Sequence, residues 1–217
     1  DHLGKERPIR ILYVGRLEQN QKNVFAIPEI MKLVLSKDVD LTLEIVGDGP
    51  DALELQERLK VSGIPHVLRG RLGRGETIER MQQADVLLMP SFFEGLPMAL
   101  LEAMSCGATP VASRLVGSTD TVVQSGVNGE LLDPTDINGF AEAIVRLAHD
   151  RDRLAAMARN AQETIRLGFS ADVMVSAYVR LIHDCKLLGE FSDVPYGLVR
   201  PIRKFLSLTG RYPKATP

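Results

Sequence analysis

Short apolar runs alternate with amphipathic stretches along most of the chain, and nothing else in the sequence constrains the fold as much. "IRILYV" at 9–14 ends on Gly15, "LTLEIV" at 41–46 ends on "GDGP", and "HVLRG" fills 66–70. "DVLLMP" at 85–90, "TPVAS" at 109–113 and "GELLD" at 129–133 follow. Each is short and mostly apolar, which predicts buried strands. Between them the apolar residues fall at helical spacing. Val24, Ile27, Ile30, Met31 and Val34 mark a helix within 23–36. A short helix over 51–60 is ended by Gly63 and Pro65, another covers 75–83, and a further one starts at about Pro97. Ile137, Phe140, Ile144 and Leu147 mark a helix over 136–149, with more helix over 150–167 and 170–188. Strands alternating with helices predict an α/β fold: a doubly wound, Rossmann-like parallel sheet covered on both faces.

A chain of 217 residues suits one domain plus a tail, and 45% hydrophobic residues are enough for a sizeable core. The expected domain is 9–188, with 1–8 as a leading segment or linker and 189–217 as a basic tail. The first residue is Asp1 rather than Met, which fits a piece of a longer protein. A net charge of −2 argues against a general nucleic-acid binder. Cys106 and Cys185 have no metal-ligand spacing and read as reduced thiols, giving an expected cytoplasmic location. No signal peptide is visible, and no apolar run is long enough to span a bilayer.

From Val194 to Pro217 the chain has Arg200, Arg203, Lys204, Arg211 and Lys214, no acid, and interleaved apolar residues. It reads either as a segment packing on another domain or as a peripheral membrane contact. Pro201 and Gly210 interrupt it, which favours the first.

Three loops at the carboxyl ends of strands suit an anion. In "GRLEQNQKN" (15–23), Gly15 lets backbone approach a ligand, and Arg16 and Lys22 supply cations fit for a diphosphate. "GDGPDA" (47–52) matches G-x-G-x-x-A loosely. The next strand offers arginine where a nicotinamide site wants an acid, so the glycines read as a tight turn facing a ligand or the other half of a cleft. In "FFEGLPMALLEAMSCG" (92–107), Pro97 fits the first helical position and the N–H groups of Leu96, Met98 and Ala99 point at the cleft. Glu94 precedes the helix and Glu102 lies within an apolar run of it. A fully helical interval of that length would rise ~12 Å, somewhat less with a turn. That span lets the two acids grip hydroxyls at opposite ends of a nucleotide sugar, with the diphosphate between. The bland alternatives are a dipole-stabilising Glu94 and an exposed Glu102.

At these residues the chain resembles the C-terminal, donor-binding domain of retaining glycosyltransferases of family 4, which have the GT-B fold. The resemblance covers about 9 to 185. It rests on the E-x7-E pair Glu94 and Glu102 in "PSFFEGLPMALLEAMSCGATPVAS", with "VGRLEQNQKN", "EIVGDGP" and "GSTDTVVQSGVNGELLDPTD" in register. It implies that Arg16 and Lys22 neutralise the donor diphosphate and that Leu72 contacts the base. Glu94 meets the sugar hydroxyls, with Arg16 and Lys22 as its catalytic companions. Gly15, Gly95, Leu96 and Met98 bring backbone to the donor, and Glu102 holds the ribose. Two departures stand out. Ser118 and Asp120-Thr121 replace the usual glycine and Pro-Glu, and Pro97 removes one backbone donor.

The implied activity is hexosyl transfer from a nucleotide sugar, without cofactor or metal, to a glycan or lipid-linked acceptor. The "EGLPM" run resembles that of the UDP-sugar users. The "DVD" (38–40) and "DRD" (150–152) triplets read as surface rather than metal ligands, and the four histidines form no ligand cluster. The resemblance implies an acceptor-binding N-terminal domain that this stretch is expected to lack, so the isolated piece is expected to bind donor and transfer little, and no nucleic-acid partner is expected. A non-catalytic nucleotide or sugar sensor and half of a GT-B sugar-nucleotide epimerase are the alternatives.

Overall fold

The structure, a computed structural model, describes residues 7–187. The basic tail lies outside the described residues. The chain divides into two compact units, one to Ser170 and one from Ala171 onward.

The first unit is built on six parallel strands, β1 (Ile9–Val14), β2 (Leu41–Val46), β3 (His66–Gly70), β4 (Val86–Met89), β5 (Thr109–Ser113) and β6 (Glu130–Leu132). They lie in the order β3-β2-β1-β4-β5-β6. The helices are α1 (Gln19–Lys22), α2 (Ala26–Leu35), α3 (Ala52–Val61), α4 (Arg74–Gln83), α5 (Met98–Ser105), α6 (Ile137–His149) and α7 (Arg151–Gly168).

The inner strands are apolar because both faces of the sheet are covered there; β3, at the edge, is not the buried strand that its sequence predicts, with Val67 and Arg69 exposed. Ile9, Ile11 and Tyr13 of β1 and Val86 and Leu88 of β4 meet Ile27, Ile30 and Met31 of α2 and Phe140, Ile144 and Leu147 of α6. The intervening residues, Leu12 on β1 and Leu87 and Met89 on β4, meet Met81 of α4, Leu100 and Met104 of α5, and Ala161 and Ile165 of α7. This period of two is the pleat of a strand, and burying a Leu, Ile or Phe is worth ~1.5–3 kcal/mol. The doubly wound fold read from the sequence is present.

Asp150 explains the "DRD" triplet locally. Its carboxylate accepts from the Arg153 N–H at 2.9 Å and caps α7. Asp136 caps α6 in the same way through Gly139 N at 2.8 Å. Arg7, expected in a leading segment, is tied to the sheet. Its guanidinium makes two bonds to Asp85, at 2.7 and 2.8 Å, and its carbonyl accepts from Arg151 at 3.0 Å.

The second unit is described only through α8 (Ala171–Leu187), on which Met174, Tyr178 and Leu181 form an exposed stripe. No helix among the described residues is long and apolar enough to cross a membrane.

Candidate functional site

Strand order reverses between β1 and β4, so the chain leaves these neighbours in opposite directions and a crevice opens at their carboxyl ends. The segment after β1 starts at Gly15 and includes α1, four polar residues with no buried side chain. Tertiary bonds hold it. The Asp51 carboxylate accepts from Gln19 N at 2.6 Å, and Gln19 Oε1 accepts from Phe25 N at 2.8 Å. Asn23 ends the turn in the left-handed region, at φ 50.

The segment after β2 is woven into this one. Leu17 N donates to Asp48 O at 2.9 Å, and Asp51 N donates to Leu17 O at 3.1 Å. A Cβ on Gly47 would stand 1.8 Å from Gly15 O, and one on Gly49 would stand 2.2 Å from Leu17 O. The glycines of "GDGP" therefore exist for backbone-to-backbone approach within the protein. The turn also lines a cavity, so close packing against the 15–17 backbone and exposure to a cleft coexist in it.

After β4 comes Ser91, fully buried, and then Glu94, whose side chain is only 7% exposed. Lys22 Nζ donates to Glu94 Oε1 at 2.6 Å, and Ser91 Oγ donates to the same oxygen at 2.7 Å. Among the described residues Oε2 accepts no hydrogen bond. Phe92 N donates to Gln21 O at 2.8 Å, fastening the motif loop to α1. The Ser118 hydroxyl donates to Gly95 O, so the departure at 118 gives this loop a concrete role.

Pro97 is not the first helical residue. It is the N-cap, in extended backbone at φ −76 and ψ 99, and α5 begins at Met98. Only the second half of the Glu94–Glu102 interval is helical, so the rise of a continuous helix does not describe the pair.

Two cavities meet at Val14 and Gly15. The smaller, about 150 Å³, is lined by Tyr13, Lys22, Ser91 and Glu94, with Leu96 and Met98 among its other walls. The larger, about 580 Å³, is lined by Arg16, Gly47, Asp48, Arg71, Leu72 and Thr77 among others. The structure thus gathers Gly15, Lys22, Glu94, Leu96 and Met98 around one space, and Gly15, Arg16 and Leu72 around the next.

Arg16 is mostly exposed and meets Glu18 at 3.4 Å. Gly95 is exposed, with nothing within 4 Å of where a Cβ would stand. Glu102 lines neither cavity. It is half-buried rather than enclosed; its carbonyl accepts from Ser105 Oγ at 2.7 Å, and its carboxylate has no hydrogen-bond partner among the described residues.

Sequence reasoning passed over Tyr13 and Ser91. Tyr13 is buried, and its hydroxyl donates to Arg16 O at 2.8 Å, propping the loop from beneath. Burial pushes the phenol far above its ordinary pKa, and the charge of Glu94 pushes it further, so it stays a donor. The available signal was a single hydroxyl in each of two apolar runs, "ILYV" and "VLLMPS". Among the described residues no three His, Cys, Asp or Glu side chains cluster as metal ligands would.

The site can therefore offer cations and backbone to an anion, with a carboxylate oxygen nearby for a hydroxyl donor. The family model for glycosyl transferases group 1 matches residues 1–164. A UDP-Gal:alpha-D-GlcNAc-diphosphoundecaprenol alpha-1,3-galactosyltransferase of Escherichia coli is 33% identical over 164 residues, 72% of this chain and 41% of that protein. The lipopolysaccharide outer core galactosyltransferase WaaB, in its apo form, superimposes with a TM-score of 0.71 at 27% identity, over 83% of this chain and 50% of that one. The C-terminal domain of a glycosyl transferase group 1 family protein (LpcC) from Francisella tularensis matches with a TM-score of 0.67 at 21% identity, over 76% of this chain and 89% of that one. Matches to the first three curated relatives span 30%, 38% and 41% of their lengths, so this chain covers well under half of each.

Proposed function

The chain belongs to the group 1 glycosyl transferases, and from that membership we propose that its six-stranded unit is the donor-binding half of a retaining family 4 hexosyltransferase with the GT-B fold. The observation that carries this reading is the Lys22–Glu94–Ser91 cluster beside the Arg16-lined cavity, at the crevice where strand order reverses. In this reading the larger cavity takes the base beside Leu72. Arg16, Lys22 and the amino end of α5 hold the diphosphate, and Glu94 grips the sugar. Glu102 is assigned the ribose by the E-x7-E resemblance alone.

Departure of the nucleoside diphosphate leaves an oxocarbenium-like sugar and concentrates negative charge on the leaving group. Fixed cations that meet this charge as it grows lower the barrier, so the reaction is proposed to run without a metal. The base is proposed to be uracil, supported by the UDP-Gal named for the E. coli relative and by the "EGLPM" run. The acceptor is proposed to be a glycan or lipid-linked glycan, bound by a companion N-terminal domain.

A thermal-shift panel with UDP, GDP, ADP, UMP and NAD, in the absence of metal, tests the reading. A ligand at 100 times its dissociation constant adds ~2.7 kcal/mol of stability. The expected result is a shift with UDP that is weak for UMP and lost in Arg16→Ala. A panel with no shift for any diphosphate would remove the donor-site assignment from this unit.

A further inference from the structure

Lys22 and Glu94 form an ion pair. Their contact is 2.6 Å, their side chains are 20% and 7% exposed, and both line the smaller cavity. A diphosphate that recruits Lys22 must take it from Glu94. Resting on the donor-site reading, we propose that this pair makes the site discriminate against a nucleoside diphosphate that lacks its sugar, favouring donor over spent product.

With the donor bound, sugar hydroxyls replace Lys22 as hydrogen-bond donors to Glu94, and the lysine is free for phosphate. With the bare diphosphate, Lys22 leaves and nothing replaces it. Glu94 is then a buried carboxylate without its cation and next to another anion, which is costly. Ser91 keeps its bond to Oε1 in either state and holds the carboxylate in place during the exchange. Oε2, with no hydrogen bond among the described residues, is the acceptor left for a sugar hydroxyl.

Glu94→Gln keeps the shape and the bond to Ser91 but releases Lys22. The test is calorimetric titration of this chain and its Glu94→Gln, Lys22→Met and double variants with UDP, GDP and UDP-galactose. Glu94→Gln is expected to bind UDP about three- to tenfold more tightly, as befits one charge-assisted contact, without tightening UDP-galactose. In the Lys22→Met background the gain should vanish, because it acts through the lysine. Should Glu94→Gln fail to fold, Glu94→Asp withdraws the carboxylate by one methylene and is expected to give a smaller gain of the same sign. Unchanged or weaker UDP binding by a folded variant overturns the discrimination and leaves the donor site standing. Absence of UDP and GDP binding in every protein, wild type included, overturns both.

Discussion

Strand β4 is flanked by two almost buried carboxylates, Asp85 just before it and Glu94 in the loop after it, and the two are wired differently. At the amino end, Asp85 is 8% exposed and both its oxygens are occupied. Arg7 bonds to each oxygen, at 2.7 and 2.8 Å, and Arg10 adds its guanidinium to both and its backbone N–H at 2.9 Å to one. At the carboxyl end, Glu94 takes Lys22 and Ser91 on one oxygen and leaves the other uncommitted among the described residues. The saturated acid is architecture, because a carboxylate with every acceptor position satisfied has little left for a ligand. Both acids line cavities, and only the half-saturated one has acceptor capacity to spare. Similar burial thus accompanies two different states of the carboxylate, one fully satisfied and one with an acceptor to spare.

The comparison breaks most forcefully through the backbone of the larger cavity. Gly47→Ala forces a Cβ to within 1.8 Å of Gly15 O, so the two loops must separate. A loss of about 3 kcal/mol is expected by denaturant unfolding, with nucleotide binding abolished. Retention of binding would mean that the loop pair is dispensable to the site.

The amino end gives the next largest effect. Asp85→Asn is expected to cost about 2 kcal/mol, a fall in Tm of about 4–8 °C, with nucleotide affinity unchanged. The figure is kept modest because the Arg7 and Arg10 side chains are substantially exposed. Burial opposes the Asp85 charge, yet the bonds from Arg7 and Arg10 win and hold its pKa below the ordinary 3.8. A depressed carboxylate stabilises fully above its unfolded value and loses that contribution as pH falls through its folded one. The gap between wild type and Asp85→Asn should therefore be constant near neutrality and close below about pH 3.8. A gap that widens on acidification would reverse the assignment.

The smallest effect on stability is expected at Gly95, where an added Cβ meets nothing. Gly95→Ala should stay within about 0.5 kcal/mol of wild type while weakening donor binding, which separates a glycine kept for a ligand from one kept for the fold. Unaltered binding would return Gly95 to the surface.

The sheet was legible in the sequence because strands buried on both faces leave continuous apolar runs, and "IRILYV" and "DVLLMP" became β1 and β4 with only end residues in doubt. α1 was not legible. Its residues, Gln19 to Lys22, carry no apolar stripe, and the turn is set by Asp51 from a distant segment. Pro97 was placed one position too far into the helix, because a proline suits the end of a loop as well as the first turn.

Lys22 and Glu94 were each singled out as residue types suited to a diphosphate and a sugar. That they touch was invisible across 72 positions until β1 and β4 were known to be neighbours. Glu102 shows the converse. Its apolar sequence neighbours implied enclosure, but α5 turns that position toward the boundary of the core, where it is only half-buried.

The mesh between the 15–17 and 47–49 backbones has a consequence for how such a site can diversify. Two segments whose main chains nearly touch cannot lengthen or shift independently, and a residue larger than glycine at 47 or 49 must move both. That side of the larger cavity is in effect one inherited block. The wall with Arg71, Leu72 and Thr77 is tied to this block by one backbone bond, Gly47 N to Gly70 O at 2.8 Å, and a side-chain substitution there reshapes the cavity without unpicking the loops. New ligand preferences should therefore accumulate on that wall, while the glycine turn stays as it is and keeps the site in register with the sheet.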